Sequence, residues 1–163
     1  MTPEIIDRDE FIVVGIRTVL DTGAQTTGTL WKERFLPRHN EIKNAEHVYY
    51  GVFNALPDDQ KGGRFEYVAG VSGTLEDIPV GMVGWVIPAG RYAEAQATGL
   101  TGIGRICREL ITEWLPDSDY KMVASPMFAY TSDKHPDSND AVWKVNIPVE
   151  TPEELEKLQK WLV

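Results

Sequence analysis

The sequence has one cysteine and few positive charges to spare, and each shortage closes off a class of function. Cys107 has no partner for an internal disulfide, which excludes a small disulfide-stapled secreted scaffold. The N-terminus lacks the basic-then-apolar pattern of a secretion leader, so the expected compartment is the cytoplasm. Lys and Arg together number 16 against 25 Asp and Glu, a formal charge of −9. Phosphate backbones are bound by clustered cations, so no direct nucleic-acid contact is expected. Long apolar runs are missing too: the stretch from Val80 to Ala89 is broken by Gly81, Gly84 and Pro88, well short of the roughly 18 residues of a membrane span. No membrane partner is expected.

What the chain does have is enough apolar material for one core: 163 residues, 42% hydrophobic, with five Trp, six Tyr and five Phe. Phe11 to Thr18 is short and β-branched, which predicts a strand. After the turn residues Asp21, Thr22 and Gly23, the spacing of Leu30, Trp31, Arg34 and Phe35 predicts a helix stopped by Pro37. Tyr49 to Phe53 and Phe65 to Val71 read as strands joined by a turn containing Pro57, Asp58, Asp59, Gly62 and Gly63. Val83 to Ala97 reads as one strand kinked at Pro88 and Gly90. Ile103, Ile106, Cys107, Leu110, Ile111 and Trp114 mark a helix face ending before Pro116, followed by strands at Met127 to Tyr130 and Val142 to Val149.

The order β-α-β-β thus occurs twice. The expected fold class is α+β: a tandem repeat with pseudo-two-fold symmetry, antiparallel sheets, helices on one face and a ligand cleft on the other. The expected domain is 1–150, with halves at about 5–75 and 80–150, followed by a C-terminal helix over 151–163. Thr151 caps that helix, Pro152 opens it, and Glu154 completes a capping box. Its stripe of Leu155, Leu158 and Leu162 either packs on the body or mediates a homodimer.

Several motifs carry less than they first suggest. The glycine run Gly99, Gly102, Gly104 precedes a helix, but Cys107 stands where a dinucleotide fingerprint needs its third glycine, so it reads as a turn. His39, His47 and His135 do not stand at a metal-ligand spacing, and no metal or cofactor is expected. Cys107 follows Ile106 on an apolar helix face and reads as core packing. Trp31, Phe35 and Trp114 fall at helical spacing and read as helix-sheet core. Aromatics on strands differ, because alternate residues reach opposite faces and the helices cover only one.

Six short motifs in order resemble the GyrI-like effector-binding domain. They are Tyr50-Gly51-Val52-Phe53, Gly63-Arg-Phe-Glu-Tyr-Val-Ala-Gly-Val71, Ile78-Pro-Val-Gly-Met82, Ile87-Pro-Ala-Gly-Arg-Tyr92, Leu30-Trp31-Lys32 and Val145-Asn-Ile-Pro-Val149. The last two are similar to the integron-cassette branch of that family. The resemblance spans roughly residues 5 to 149 and implies an aromatic cleft for amphipathic, often cationic, drugs and dyes. It is to the stand-alone members, which include drug-binding proteins, a gyrase inhibitor and hydrolases of cyclopropane electrophiles. The family commonly carries aromatic-Glu-x-Tyr on its fifth strand, and aligning Tyr130 puts Phe128 at the Glu position.

The internal repeat offers a replacement carboxylate. If Tyr50 to Phe53 matches Met127 to Tyr130, Glu66 follows Gly51 at the spacing by which Trp143 follows Phe128, and Glu66 then faces the cleft beside Gly51. The alternatives are an exposed Glu66, or a register that turns Phe65 and Tyr67 inward. The expected ligand-binding residues are Tyr49, Phe53, Phe128, Tyr130 and Trp143 as walls and Glu66 as counter-charge. The expected function is a small-molecule binder that senses or sequesters a hydrophobic aromatic, neutral or cationic, ligand. The alternatives are a cofactor-free hydrolase using a Glu base, or an inhibitor that binds a protein partner.

Overall fold

The computed structural model describes residues 1–21, 27–43, 48–55 and 64–161. The expected turns at Thr22, Gly23 and Pro57 to Gly63, together with His47 and Leu162, lie outside the described residues.

Among the described residues, nine antiparallel strands form the fold: β1 (Glu4–Arg8), β2 (Phe11–Asp21), β3 (Tyr49–Ala55), β4 (Arg64–Ser72), β5 (Val83–Ile87), β6 (Gly90–Thr98), β7 (Lys121–Met122), β8 (Met127–Thr131) and β9 (Val142–Glu150). Their order is β1-β6-β9-β8-β3-β4-β2-β5, with β7 pairing β9. Read from the β8–β3 junction outward, the order is the same in both directions: a central strand, its hairpin partner, the strand before the helix, then a short edge strand. The two β-α-β-β units thus share one continuous sheet, with the pseudo-two-fold between Tyr50 and Tyr130 and their neighbours, which pair directly. The edge strand β1 was not legible in the sequence. The stretch read as one kinked strand is two, β5 and β6, which pair with different partners.

Those edges force the sheet to curl. Flat, six strand spacings would hold β5 about 29 Å from β6. Yet only Pro88 and Ala89 link Ile87 to Gly90, a span of at most about 11 Å. The link from Arg8 to Phe11 bridges the other pair of distant strands in the same way. The sheet therefore wraps around one of its own faces.

The helices cover the convex face. The first segment begins as α1 (Thr27–Thr29), widens to a π-helical stretch over Leu30–Phe35 and tightens to a 3-10 stretch over Leu36–Glu41. The second repeats the course: α2 (Gly99–Glu109), π-helical Leu110–Trp114 and 3-10 Leu115–Asp117. Pro37 and Pro116 do not stop their helices. Each sits in the first turn of the 3-10 stretch, where a missing N–H costs little. Leu30, Trp31, Phe35, Ile103, Ile106 and Leu110 bury this side against Val14, Ile16, Tyr67, Ala69, Val71, Val145 and Ile147. Cys107 belongs here, its Sγ 3.6 Å from Met127 Sδ, and burial pushes its thiol up to about 11. The glycine run is not a separate turn: Gly99, Gly102 and Gly104 lie in the opening turns of α2, where Gly99 has φ +72 and its N–H donates to the Ala141 carbonyl at 2.8 Å.

The C-terminal helix, α3 (Pro152–Trp161), is capped by Thr151, whose Oγ1 accepts the Glu154 N–H at 3.3 Å. The reciprocal bond comes from Glu150, not Glu154: its carboxylate accepts the Thr151 N–H at 2.9 Å. Leu155 is half-buried and Leu158 exposed. No helix among the described residues is long and apolar enough to cross a membrane.

Candidate functional site

Strand register decides which side chains can meet. Tyr50 pairs with Tyr130 and Val52 with Phe128 across β3 and β8, while Phe128 pairs with Asn146 and Asn146 with Glu94 across β9 and β6. Directly paired residues of an antiparallel ladder share a face. The concave face is therefore lined by Tyr50, Val52, Val68, Phe128, Tyr130, Asn146, Tyr92 and Glu94, with Phe11, Val13 and Trp85 from the far end of the curl.

Aromatic rings fill its floor. Phe128, wholly buried, meets Phe11 at 5.1 Å, Tyr92 at 5.1 Å, Tyr50 at 6.2 Å and Tyr130 at 6.5 Å between ring centroids. Tyr50 also meets Phe11 at 5.2 Å and Tyr130 at 6.0 Å. Tyr50, Tyr130, Phe11 and Trp85 stay partly exposed. Burial raises the phenol pKa of both Tyr130 and Tyr92, so both remain neutral hydrogen-bonding groups at physiological pH. Tyr92 uses its proton internally, donating to the Pro88 carbonyl at 2.8 Å.

A polar cluster closes one end of this floor. Glu94 is 8% exposed, and its Oε2 accepts from the Tyr130 hydroxyl at 3.0 Å, from Asn146 Nδ2 at 3.2 Å and from the Arg8 guanidinium. Arg8 Nε donates to Asn146 Oδ1 at 3.1 Å. The Arg8 guanidinium carbon lies 5.3 Å from the Tyr130 ring centroid and 5.6 Å from that of Phe128, both within cation–π reach. Beside Tyr130, a shallow depression at the ends of β8 and β9 is lined by Thr131, Ser132, Asp133, Val142 and Lys144.

The expected site residues separate onto two faces. Phe128 and Tyr130 stand together on the concave floor. Tyr49, Phe53 and Trp143 project to the helix side: Tyr49 pairs with Thr131 and Phe53 with Tyr67, and Trp143, wholly buried, packs on Trp31 at 5.6 Å. Odd residues of β3 and β9 share the convex face, and the even ones carry the floor. Glu66 has concave parity, but it lies opposite Asn54 at the end of the β3–β4 hairpin, not beside Gly51, and Arg17 Nε donates to it at 2.6 Å. It is thus already paired and away from the Glu94 cluster. Gly51 faces the helices, where it makes room for Tyr67: a Cβ there would meet the Tyr67 hydroxyl at 2.3 Å. Tyr67 in turn accepts from Trp31 Nε1 at 2.9 Å.

Glu94, Arg8, Tyr50 and Asn146 were missed in the sequence. Tyr92 and Glu94 stand two apart and so share a face of any strand, which was the available signal. Arg8 carried none, because its pairing with Glu94 depends on the edge strand.

The model of the GyrI-like small molecule binding domain matches residues 1–150. No curated protein matches the chain. Among solved structures, SAV2435 bound to tetraphenylphosphonium is similar at a TM-score of 0.68 and 15% identity, with 94% of this chain and 97% of that one covered. A transcription regulation protein from Staphylococcus aureus gives a TM-score of 0.66 at 15% identity, covering 92% and 99%. An integron cassette protein from Vibrio cholerae gives 0.59 at 17% identity, covering 91% and 96%.

Proposed function

The chain belongs to the GyrI-like small molecule binding domain family, and from that premise we propose that its ligands are aromatic small molecules held against the concave floor. The observation that supports this reading is the partly exposed aromatic surface of Tyr50, Phe11, Trp85 and Tyr130 around the buried Phe128. Flat rings offer van der Waals contact to many aromatic shapes and little directional demand, so selectivity is broad. The Glu94–Asn146–Tyr130 cluster supplies the polar end that orients a ligand.

Phe128 and Tyr130 belong to this floor. SAV2435, with the same fold, was captured with tetraphenylphosphonium, which supports an aromatic ligand for this fold. Binding without turnover fits the side chains better than hydrolysis. A base must reach a water, whereas Glu94 Oε2 already accepts three hydrogen bonds and Glu66 is held by Arg17. The bound state serves sensing or sequestration in the cytoplasm.

The test is calorimetric titration of the intact chain with a neutral naphthol, alongside product analysis of the same mixture. Saturable heat with unchanged naphthol supports the reading, and heat that survives unaltered in Tyr50→Ala/Tyr130→Ala removes the site from the concave floor.

A further inference from the structure

We propose that Arg8 is a specificity-determining residue that occupies the Glu94 carboxylate and turns the floor toward aromatic ligands carrying no positive charge. The inference rests on the proposed concave site and names its ligand class.

Arg8 lies where a flat cation would gain most. Its guanidinium is within 6 Å of the Tyr130 and Phe128 rings, at 5.3 and 5.6 Å, and pairs with Glu94. Glu94 is 8% exposed and Arg8 23%, so the pair is largely screened from solvent. Further hydrogen bonds hold the pair: Arg8 Nε donates to Asn146 Oδ1, and Glu94 Oε2 accepts from Tyr130 and Asn146 as well as Arg8. A cationic ligand would have to expel Arg8 and would replace one cation–carboxylate attraction with another. Its charge then gives no net gain in affinity, while the guanidinium needs a new partner. An uncharged or anionic aromatic leaves the pair in place and meets the partly exposed edge of the guanidinium. Lys144, which faces the same side and pairs with Tyr130, adds a second cation, its Nζ 3.2 Å from the uncharged Gln96 Oε1. Asp133 lines the adjoining depression, where its Oδ2 accepts the Val142 N–H at 3.0 Å.

Arg8 belongs to β1, a five-residue strand that among the described residues pairs with β6 alone. The β1–β6 register sets Arg8 against Gly90, where the strand opposite carries no side chain. Its neighbours Ile6 and Glu4 pair with Tyr92 and Glu94, so Arg8 shares their face and reaches along the floor to Glu94.

Tetraphenylborate and tetraphenylphosphonium, nearly identical in shape and opposite in charge, are titrated into the full chain and into Arg8→Met, which keeps an unbranched apolar side chain. The wild type is expected to bind the borate at least as tightly as the phosphonium. In Arg8→Met the phosphonium should gain about tenfold or more and the borate should weaken. Should that variant fail to fold around an unpaired Glu94, Arg8→Met/Glu94→Gln is used, and its preference between the two ions should fall closer to unity than the wild type's or shift toward the phosphonium. A wild type that prefers the phosphonium by tenfold or more, with the preference unchanged in either variant, overturns the proposal while leaving the aromatic site intact. Absence of binding by either ion and by neutral naphthol, in every form, overturns the site and the proposal together.

Discussion

Phe11 and Phe128 meet edge to face, 5.1 Å between ring centroids, although β4 and β3 lie between their strands. On a flat sheet three strand spacings would hold their backbones about 14 Å apart. The contact is therefore a direct consequence of the curl that the two-residue links impose, and it makes one face of the sheet an aromatic-lined hollow. Ligand binding on the floor depends on that geometry.

Tyr130→Ala should weaken naphthol binding by about 1 to 3 kcal/mol and lower stability far less than a core truncation does, because its ring is partly exposed on the floor. Trp143→Ala should do the reverse. Its ring is wholly buried against Trp31, so a loss of roughly 3 to 5 kcal/mol of stability is expected. Thermal melts and calorimetry on both variants check the pair.

The longer strands and the repeat were readable because hydrophobic periodicity is local, whereas β1, β7 and the division of β5 from β6 were not. Face assignment was not, since it depends on the pairing of β3 with β8 and of β8 with β9. Tyr49 and Tyr50 are adjacent and chemically alike, and only register puts the second on the floor. One further signal of the repeat lay open: Phe35-Leu36-Pro37 and Trp114-Leu115-Pro116 stand at the same point of the two helical segments. The Glu94 site was hidden for a different reason. Its partner Arg8 comes from a short, charge-flanked strand that only exists by adding to the edge of β6.

Gly51→Ala should cost about 1 to 3 kcal/mol, because the new methyl group would fall 2.3 Å from the Tyr67 hydroxyl and 2.9 Å from its ring carbon. The same substitution in a Tyr67→Phe background should cost less, since the closest atom is gone. A double-mutant cycle by urea unfolding reads the coupling, and simple additivity would show that the Tyr67 hydroxyl is not the source of the cost.

Alkaline pH should destabilise the fold. Burial raises the phenol pKa of Tyr67, which is opposed only in part by the Trp31 hydrogen bond, and burial also raises Tyr49, Tyr92 and Tyr130. In the unfolded chain these phenols ionise near pH 10, while in the folded one they hold their protons. Above that pH the unfolded state binds fewer protons, so stability falls as pH rises toward the folded values. Tyr67→Phe should flatten the slope above pH 10 by up to about 1.4 kcal/mol per pH unit. An unchanged slope, measured by denaturant midpoints, would show that Tyr67 is not the phenol that resists ionisation.

Methyl NMR of the intact chain titrated with a neutral naphthol locates the ligand on one face of the sheet or the other. The largest saturable shifts are expected at Val13, Val52, Val68 and Ile87, which pack beneath the concave aromatics, with little change at Ile103, Ile106 and Leu110 on the helical segment that covers the convex face. Shifts concentrated at Ile103, Ile106 and Leu110, with the four concave residues unmoved, would contradict binding on the concave floor.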